Sequence, residues 1–130
     1  MELFLSSEST IREINKEFQK GFPFLKLEFY RQRSKTEQHT YWKDKFSGHA
    51  TLKETGSKLI PAIIKINPSD TISELEQRLR NNYGLPVQVL RKSGDVWLET
   101  LQTNDFTLER QNSIGATQPK QRYNIHTLFL

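Results

Sequence analysis

The chain shows the same succession of apolar and polar positions twice. When residues 3–31 are aligned with residues 64–91, allowing one deletion, apolar residues fall on apolar residues throughout. In each copy apolar residues recur first every two residues, then every three or four, and then every two again. This succession is typical of a strand, a helix and a strand. The pattern predicts an internal repeat spanning residues 2–33 and 60–94. The matched apolar pairs are Leu3/Ile64, Leu5/Ile66, Ile11/Ile72, Ile14/Leu75, Phe18/Leu79, Phe22/Tyr83, Leu25/Leu85, Leu27/Val87 and Phe29/Val89.

Both predicted helices carry matching start and stop signals. Thr10 with Glu13, and Thr71 with Glu74, have the spacing of a capping box, in which a hydroxyl and a carboxylate satisfy free amides of the first helical turn. Each amphipathic stretch ends at a glycine that is followed two residues later by a proline, a combination that favours a helix stop. We therefore expect one helix after Thr10 and another after Thr71.

Two strand–helix–strand units in tandem predict an α+β fold of the ferredoxin-like sandwich type, with both helices on one face of a four-stranded antiparallel sheet. The strands that lead into the helices, residues 2–5 and 60–66, are expected at the centre, and the strands that follow the helices outside them. A tight turn at residues 92–95 makes residues 96–101 an additional strand. The alternative is a β-grasp core within residues 50–110, to which the first strand–helix–strand unit is added.

Outside the repeats the chain is polar. We interpret residues 1–130 as one domain, because the length suits a single core. The polar insertion at residues 34–58 is predicted to contain short strands at 40–42 and 50–54. Residues 111–122 are rich in glutamine, serine and threonine, which is typical of a loose linker.

The final segment, residues 123–130, alternates apolar Tyr123, Ile125 and Phe129 with polar residues. A segment this apolar is expected to dock on protein. We predict that it adds a strand to a sheet edge or covers a sheet face, in the same molecule or in a neighbouring one.

Composition restricts the chemistry that the chain can perform. The absence of cysteine excludes disulfides, thiolate metal sites and cysteine nucleophiles. The longest apolar run, residues 59–64, is too short to cross a bilayer, and the amino terminus lacks the pattern of a secretory signal, so we expect a cytoplasmic location without a membrane partner. The net charge of +4, from 19 basic and 15 acidic residues, is mild for a nucleic-acid-binding protein of this size.

One face of the predicted sheet is expected to remain uncovered by the helices. Alternation along the strands places apolar, aromatic and basic side chains on this face, and a basic cluster follows the second strand. Such a face suits a protein partner, or the bases and phosphates of single-stranded RNA or DNA. The candidate interaction surface comprises Phe4, Lys26, Tyr30, Arg31, Arg33, Lys35, Ile63 and Leu90.

Patterns of catalytic and metal-binding residues are missing from the sequence. His39, His49 and His126 have no paired spacing on a predicted helix, and Gly94 stands alone in its turn instead of within a phosphate-binding glycine-rich loop. We therefore assign no catalytic, cofactor-binding or metal-binding residue, and no cofactor. Trp97 is expected to pack in the core or in a satellite cluster.

The stretch from Val87 to Thr100, followed by residues 105–109, resembles the ending of a family of small uncharacterised bacterial proteins. This resemblance covers residues 60–111 and implies no activity and no catalytic residues. Residues 92–106 are also similar to the acidic turn of the PB1 interaction domain, which is a β-grasp scaffold. The acidic cluster by which that domain pairs with its partners is represented here by Asp95, Glu99 and Asp105.

Three classes of function remain open. The first is a non-enzymatic protein-interaction or self-association module. The second is a weak binder of RNA or single-stranded DNA that uses the basic and aromatic residues of the sheet face. The third is a small-ligand-binding or enzymatic domain with a cleft between the sheet and the 34–58 insertion. The sequence favours the first, because it contains neither the signature of an RNA recognition module nor a catalytic constellation.

Overall fold

The computed structural model describes residues 1–31 and 44–117. Their fold is α+β, with antiparallel sheets and helices in tandem strand–helix–strand units, as the repeat predicts. The elements in chain order are β1 (Glu2–Leu5), α1 (Ile11–Gly21), β2 (Leu25–Phe29), α2 (Leu52–Thr55), β3 (Ala62–Lys65), α3 (Ile72–Tyr83), β4 (Val87–Ser93), β5 (Val96–Glu99), a 3-10 helix (Leu101–Thr103) and α4 (Leu108–Thr117).

Both predicted helix starts are confirmed. Thr10 accepts a hydrogen bond from the Glu13 amide at 3.1 Å, and the Glu13 carboxylate accepts one from the Thr10 amide at 2.9 Å, which completes the capping box of α1. Thr71 accepts a bond from the Glu74 amide at 3.1 Å and so caps α3, and the Glu74 carboxylate accepts from the Thr71 hydroxyl at 3.1 Å. α3 ends before Gly84, whose φ of 64° is a left-handed conformation that glycine adopts without strain.

The strands that lead into the helices, β1 and β3, form a two-stranded antiparallel sheet. Leu3 and Leu5 of β1 and Ile64 of β3 face the interior, and each is at most 3% exposed. This pairing is the one that the repeat predicts for the centre of the sheet.

The strands that follow the helices pair with each other, and this corrects the predicted topology. β2, β4 and β5 form a separate three-stranded antiparallel sheet in that order, so within residues 1–31 and 44–117 the four strands of the two units do not join in one sheet. Leu27 lies opposite Val89 and Phe29 opposite Val87, and all four side chains are at most 3% exposed. Either arrangement buries these apolar faces on the same core, so the alternation of side chains does not choose between them.

The predicted hairpin between β4 and β5 is confirmed, and Gly94 in its turn has a φ of 60°. The β-grasp alternative also requires a hairpin ahead of α3. No such hairpin is formed in residues 44–71, because residues 52–55 are helical and β3 pairs with β1.

An approximate two-fold relation connects the two repeats. Leu3 lies opposite Ile64 in the first sheet, and Glu28 lies opposite Gln88 in the second. Both are pairs of equivalent repeat positions. A residue meets its own equivalent across an antiparallel pair when a two-fold axis passes between the copies. The two units therefore pack against each other as the halves of a pseudo-dimer.

The structural repeat is longer than the repeat that the sequence predicts. Thr51 forms a bridge with Thr10 ahead of α1, and Thr107 forms the equivalent bridge with Thr71 ahead of α3. Each of the two later threonines precedes a further helix, α2 in the first unit and α4 in the second. Each unit therefore ends in a second helix, and the start of that helix is hydrogen-bonded to the residues just before the first helix of the same unit. The matching backbone bonds are Leu52 N to Ser9 O (3.0 Å) and Leu108 N to Asp70 O (2.8 Å), and Lys53 N to Ser7 O (3.0 Å) and Glu109 N to Pro68 O (3.0 Å).

The strand predicted at residues 50–54 is wrong, because this stretch contains α2. Thr51 caps the helix and Leu52 is fully buried beneath it. A single turn of helix is too short to show helical periodicity, so a buried leucine among polar residues fits a strand equally well. The other short strand, predicted at residues 40–42, lies outside the described residues.

The linker predicted at residues 111–122 is wrong for the part that α4 contains. α4 faces the interior with a polar residue, Gln111, and with Gly115. Gln111 is fully buried and donates to the Thr103 carbonyl oxygen at 2.9 Å. A Cβ atom added to Gly115 would lie 2.7 Å from the Phe24 Cβ, so the helix packs too closely there for a larger residue. A helix that packs through such residues carries no apolar stripe for the sequence to reveal.

One core joins the two units. Buried apolar residues from β1 to α4 form a single cluster within the described part of the chain. Tyr30 and Leu90 are also buried, at 4% and 5% exposed, but they lie outside this cluster. They belong to the outer face of the β2–β4–β5 sheet.

Candidate interaction surfaces

The residues of the candidate interaction surface fall on two different sheets. Phe4 and Ile63 lie directly opposite each other on the outer face of the β1–β3 sheet. Phe4 is 57% exposed and Ile63 is 63% exposed. The oppositely charged Glu2 and Lys65 face each other beside them. This two-stranded sheet therefore presents an apolar pair, which we call the Phe4–Ile63 face.

The outward edge of β1 offers backbone hydrogen-bonding groups. The Met1 amine donates to the Ile66 carbonyl oxygen at 2.7 Å, and the Ile66 amide donates to the Met1 carbonyl oxygen at 2.8 Å. Because bonded and non-bonded pairs alternate in an antiparallel sheet, Leu3 is bonded to β3 while the N–H and C=O of Phe4 point away from it. In residues 1–31 and 44–117 no strand pairs with this edge of β1.

A groove runs between the outward edge of β1 and α1. Its volume is about 490 Å³, and Phe4 is its aromatic wall. The opposite wall carries mixed charge from α1, where Lys20 pairs with Glu17 at 2.9 Å. The groove therefore combines unpaired backbone groups, exposed apolar surface and charged side chains. Its lining residues are Glu2, Phe4, Ser9, Glu13, Ile14, Lys16, Glu17 and Lys20.

The other candidates, Lys26, Tyr30 and Leu90, lie on the outer face of the β2–β4–β5 sheet. The Tyr30 hydroxyl lies 3.5 Å from a Glu28 carboxylate oxygen and 3.3 Å from the Gln88 side-chain oxygen. Burial raises the pKa of Tyr30, and the nearby carboxylates of Glu28 and others raise it further. Since its ring is buried, Tyr30 cannot offer an open surface for stacking.

The basic cluster is only partly described. Arg31 is exposed and its guanidinium lies 4.5 Å from the centre of the Phe46 ring. Arg33 and Lys35 lie outside the described residues. The cluster is therefore represented by Arg31 alone, at the end of β2 that is nearest Lys45.

Trp97 lies on the outer face of the second sheet, outside the core cluster. Its ring centre lies 5.1 Å from the Lys26 ammonium and 5.8 Å from the Lys92 ammonium. Lys26 is on β2 and Trp97 on β5, so the indole reaches across the intervening strand, where Leu90 lies opposite Lys26. Side chains alternate along β5, so Trp97 lies on the same face as Glu99 and not on that of Val96 and Leu98. This alternation is visible in the sequence.

The first helix of each unit carries a polar residue that bonds the following strand. Asn15 of α1 donates to the Leu27 carbonyl oxygen at 2.8 Å and accepts from the Leu27 amide at 2.7 Å. The equivalent residue of α3, Glu76, accepts only from the Val89 amide, at 2.9 Å. Burial raises the pKa of Glu76. At this repeat position the side-chain amide of Asn15 bonds both the N–H and the C=O of a strand residue. The carboxylate of Glu76 can only accept, so it bonds the N–H of Val89 and leaves the Val89 C=O without this partner.

A second groove, of about 300 Å³, lies between α3 and β4 beside Glu76. Arg80 lies on its rim, and its charge opposes the effect of burial on the pKa of Glu76. The lining residues of this groove are Tyr30, Ser73, Glu76, Gln77, Arg80, Pro86, Val87, Gln88, Leu101 and Asn104.

Residues 1–31 and 44–117 contain neither a metal-ligand set nor a membrane-spanning helix. This part of the chain contains no cluster of three or more histidine, aspartate or glutamate side chains that could hold a metal ion. It also contains no helix with the length and apolarity needed to cross a membrane. His49 is exposed, and His39 and His126 lie outside the described residues.

Comparison with models of protein families, with curated proteins and with solved structures finds no match to this chain. Inferences about function therefore depend on the two outer sheet faces and their grooves.

Proposed function

We propose that this chain is a non-enzymatic protein-interaction module that accepts an extended segment of a protein chain along the outward edge of β1. The single observation that carries the proposal is the edge of β1, with which no strand pairs in residues 1–31 and 44–117, next to the groove beside Phe4. A strand added there pairs with the free N–H and C=O of Phe4, while its side chains enter the groove or lie beside the Phe4 ring.

The exposed apolar surface supports weak binding. Fully burying an aromatic side chain removes about 150–250 Å² from water, so the 57% exposed Phe4 leaves about 100 Å² available. Covering that area contributes about 2.5 kcal/mol at 25 cal/mol per Å². Each added backbone hydrogen bond contributes about 1 kcal/mol. Because association itself costs about 4–15 kcal/mol, these contributions are largely offset and we expect weak binding.

The groove also defines the chemistry of the partner segment. Its β1 wall offers apolar contact through Phe4, and its α1 wall offers Lys16 and Glu13 to polar side chains. An extended peptide that alternates apolar and polar residues matches both surfaces, since successive side chains of a strand point to opposite sides. Residues 123–126 of this chain have that alternation and residues 128–130 add apolar side chains, so a peptide with this sequence is a suitable probe.

Binding of a fluorescently labelled peptide that carries residues 121–130 to the full-length protein tests the proposal by fluorescence anisotropy. Phe4→Lys introduces a charge on the edge of β1 and should weaken binding at least tenfold. Glu2→Pro removes an outward N–H without touching the β1–β3 bonds and should weaken binding as well. Ile63→Lys is the matched control, because it places the same charge on the same face but on the strand away from the α1 groove.

The proposal fails if the peptide does not bind and light scattering shows a monomer at every protein concentration. It also fails if Phe4→Lys and Ile63→Lys weaken binding equally, because the edge of β1 would then have no special role. Circular dichroism spectra of the variants should match that of the wild-type protein, since Phe4 and Ile63 are both exposed.

A further inference from the structure

The outer face of the β2–β4–β5 sheet carries a second group of side chains that the β1 edge does not use. The ammonium groups of Lys26 and Lys92 both lie within 5.8 Å of the centre of the Trp97 ring. In the described part of the chain neither lysine has a carboxylate partner. Two cations without a carboxylate partner among the described residues therefore converge on one half-buried indole, on a sheet face where Leu90 is buried and both lysines are half-buried.

The carboxylates on this face do not cancel those cations. Glu28 is already paired with Lys45, at 2.8 Å. Glu99 lies opposite Leu90, at the position next to Trp97 on the same face, and contributes to raising the pKa of Tyr30. Glu28 is therefore occupied by Lys45, and Glu99, although it neighbours Trp97, forms no ion pair with Lys26 or Lys92 in the described part of the chain.

We propose that the cluster of Lys26, Lys92 and Trp97 is a binding site for single-stranded nucleic acid, with one base stacked on the indole and the neighbouring phosphates bound by the two ammonium groups. An indole on a sheet face is a stacking platform for any base, and lysines that line the strand neutralise the backbone. On ligand binding the ammonium groups move from the ring face to the phosphates at its rim. The chemistry is common to RNA and DNA, because stacking and phosphate contacts do not involve the 2′-hydroxyl.

This site is independent of the proposed β1 edge. Trp97 replaces Tyr30 as the stacking residue that the sequence predicts for this face, because Tyr30 is buried and hydrogen-bonded. Lys26 keeps its predicted role. Substitutions at Phe4 should leave nucleic-acid binding unchanged, and substitutions at Trp97 should leave peptide binding unchanged, so the two proposals can fail separately.

The test is binding of fluorescein-labelled dT12 and U12 oligonucleotides to the full-length protein at low salt, followed by anisotropy. Trp97→Leu should weaken binding of both about tenfold, the loss of one stacked base. Lys26→Gln combined with Lys92→Gln should reduce the salt dependence of binding, since each phosphate contact contributes about −0.7 to the slope of log K against log salt. Lys45→Gln is the matched control, because Lys45 is paired with Glu28 on the same sheet.

Intrinsic fluorescence gives a second readout. The chain has two tryptophans, so Trp42→Phe leaves Trp97 as the sole emitter. Stacking of a base should quench that emission, and Trp97→Phe should keep part of the affinity because a smaller aromatic ring remains. Poly-glutamate at the same ionic strength should neither quench nor compete.

The inference is overturned if neither oligonucleotide binds at low salt, or if the lysine variants bind with unchanged affinity and salt dependence. Competition by poly-glutamate as effective as that by the oligonucleotides would also overturn it, since the face would then attract anions without stacking. Binding of U12 alone would contradict the shared chemistry, because it would require a contact to the 2′-hydroxyl.

Discussion

Truncating equivalent core residues of the two units should destabilise the protein to a similar extent. Phe18 and Leu79 occupy the same repeat position and are 0% and 1% exposed. Phe18→Ala removes a fully buried ring and its contact with Phe22, whose ring centre lies 5.2 Å away, so we expect a loss of about 3–5 kcal/mol. Leu79→Ala should cost about 2–5 kcal/mol. Either loss is a large fraction of the roughly 5–15 kcal/mol that keeps a domain folded.

Urea titration followed by far-ultraviolet circular dichroism measures these losses. With a slope of about 1–3 kcal/mol per molar urea, a loss of about 4 kcal/mol lowers the midpoint by roughly 1.5–4 M. Lys16→Ala, on the exposed face of α1, is the control and should shift the midpoint little. A neutral result for Phe18→Ala or Leu79→Ala would refute the shared core, because the helix in question would then face solvent. Each variant should still unfold in one transition, since both units contribute to one cluster.

Three further predictions concern the caps, a buried carboxylate and the carboxyl terminus. Thr10→Ala and Thr71→Ala should each cost about 1 kcal/mol in the same titration, and negligible effects would contradict the observed caps. Because folding raises the pKa of Glu76, the folded state binds the proton of the Glu76 carboxyl group more tightly than the unfolded state does. Its ionisation therefore opposes folding above the folded-state pKa, and the penalty is relieved as the pH falls toward its ordinary value of 4.5. Urea midpoints of Glu76→Gln should exceed those of the wild type by a margin that is largest at neutral pH and shrinks toward acid; a margin independent of pH would exclude this explanation. Deleting residues 123–130 should increase binding of an apolar dye or change the oligomer seen by light scattering, whereas an equally stable, equally monomeric and no stickier protein would rule out a docking role for that segment.

Helices α1 and α3 were predictable from local chemistry. A threonine cap, a glutamate three residues later and an apolar stripe all act within one helix, so they leave their pattern in neighbouring positions of the sequence. Ile14 and Phe18 in α1, and Leu75 and Leu79 in α3, are buried as their spacing predicts.

Strand partners were not predictable in the same way. Alternation in β2 and β4 establishes which face is buried, but two topologies bury that face equally well. The extended repeat was hidden for a related reason. The segment between β2 and Thr51 is longer than the segment between β4 and Thr107. An alignment that allows one deletion therefore does not match Thr51 with Thr107, although their backbone bonds are equivalent.

The candidate surface was predicted in composition but not in arrangement. Phe4 and Ile63 are exposed on one sheet, while Lys26, Tyr30 and Leu90 lie on another. Sequence alternation assigns a side chain to a face of its strand. It does not show how far neighbouring side chains cover that face, and so it cannot distinguish an exposed tyrosine from a buried one such as Tyr30.

Amide hydrogen exchange at Phe4, measured by nuclear magnetic resonance with and without the peptide of residues 121–130, tests the proposed β1 edge most directly. In the free protein the Leu3 amide, bonded to β3, should exchange slowly, and the Phe4 amide, which points outward, should exchange fast. Saturating peptide should slow exchange at Phe4 and leave Leu3 unchanged. A Phe4 amide that is already protected in the free protein, or peptide binding that leaves its exchange rate unaltered, would contradict the account.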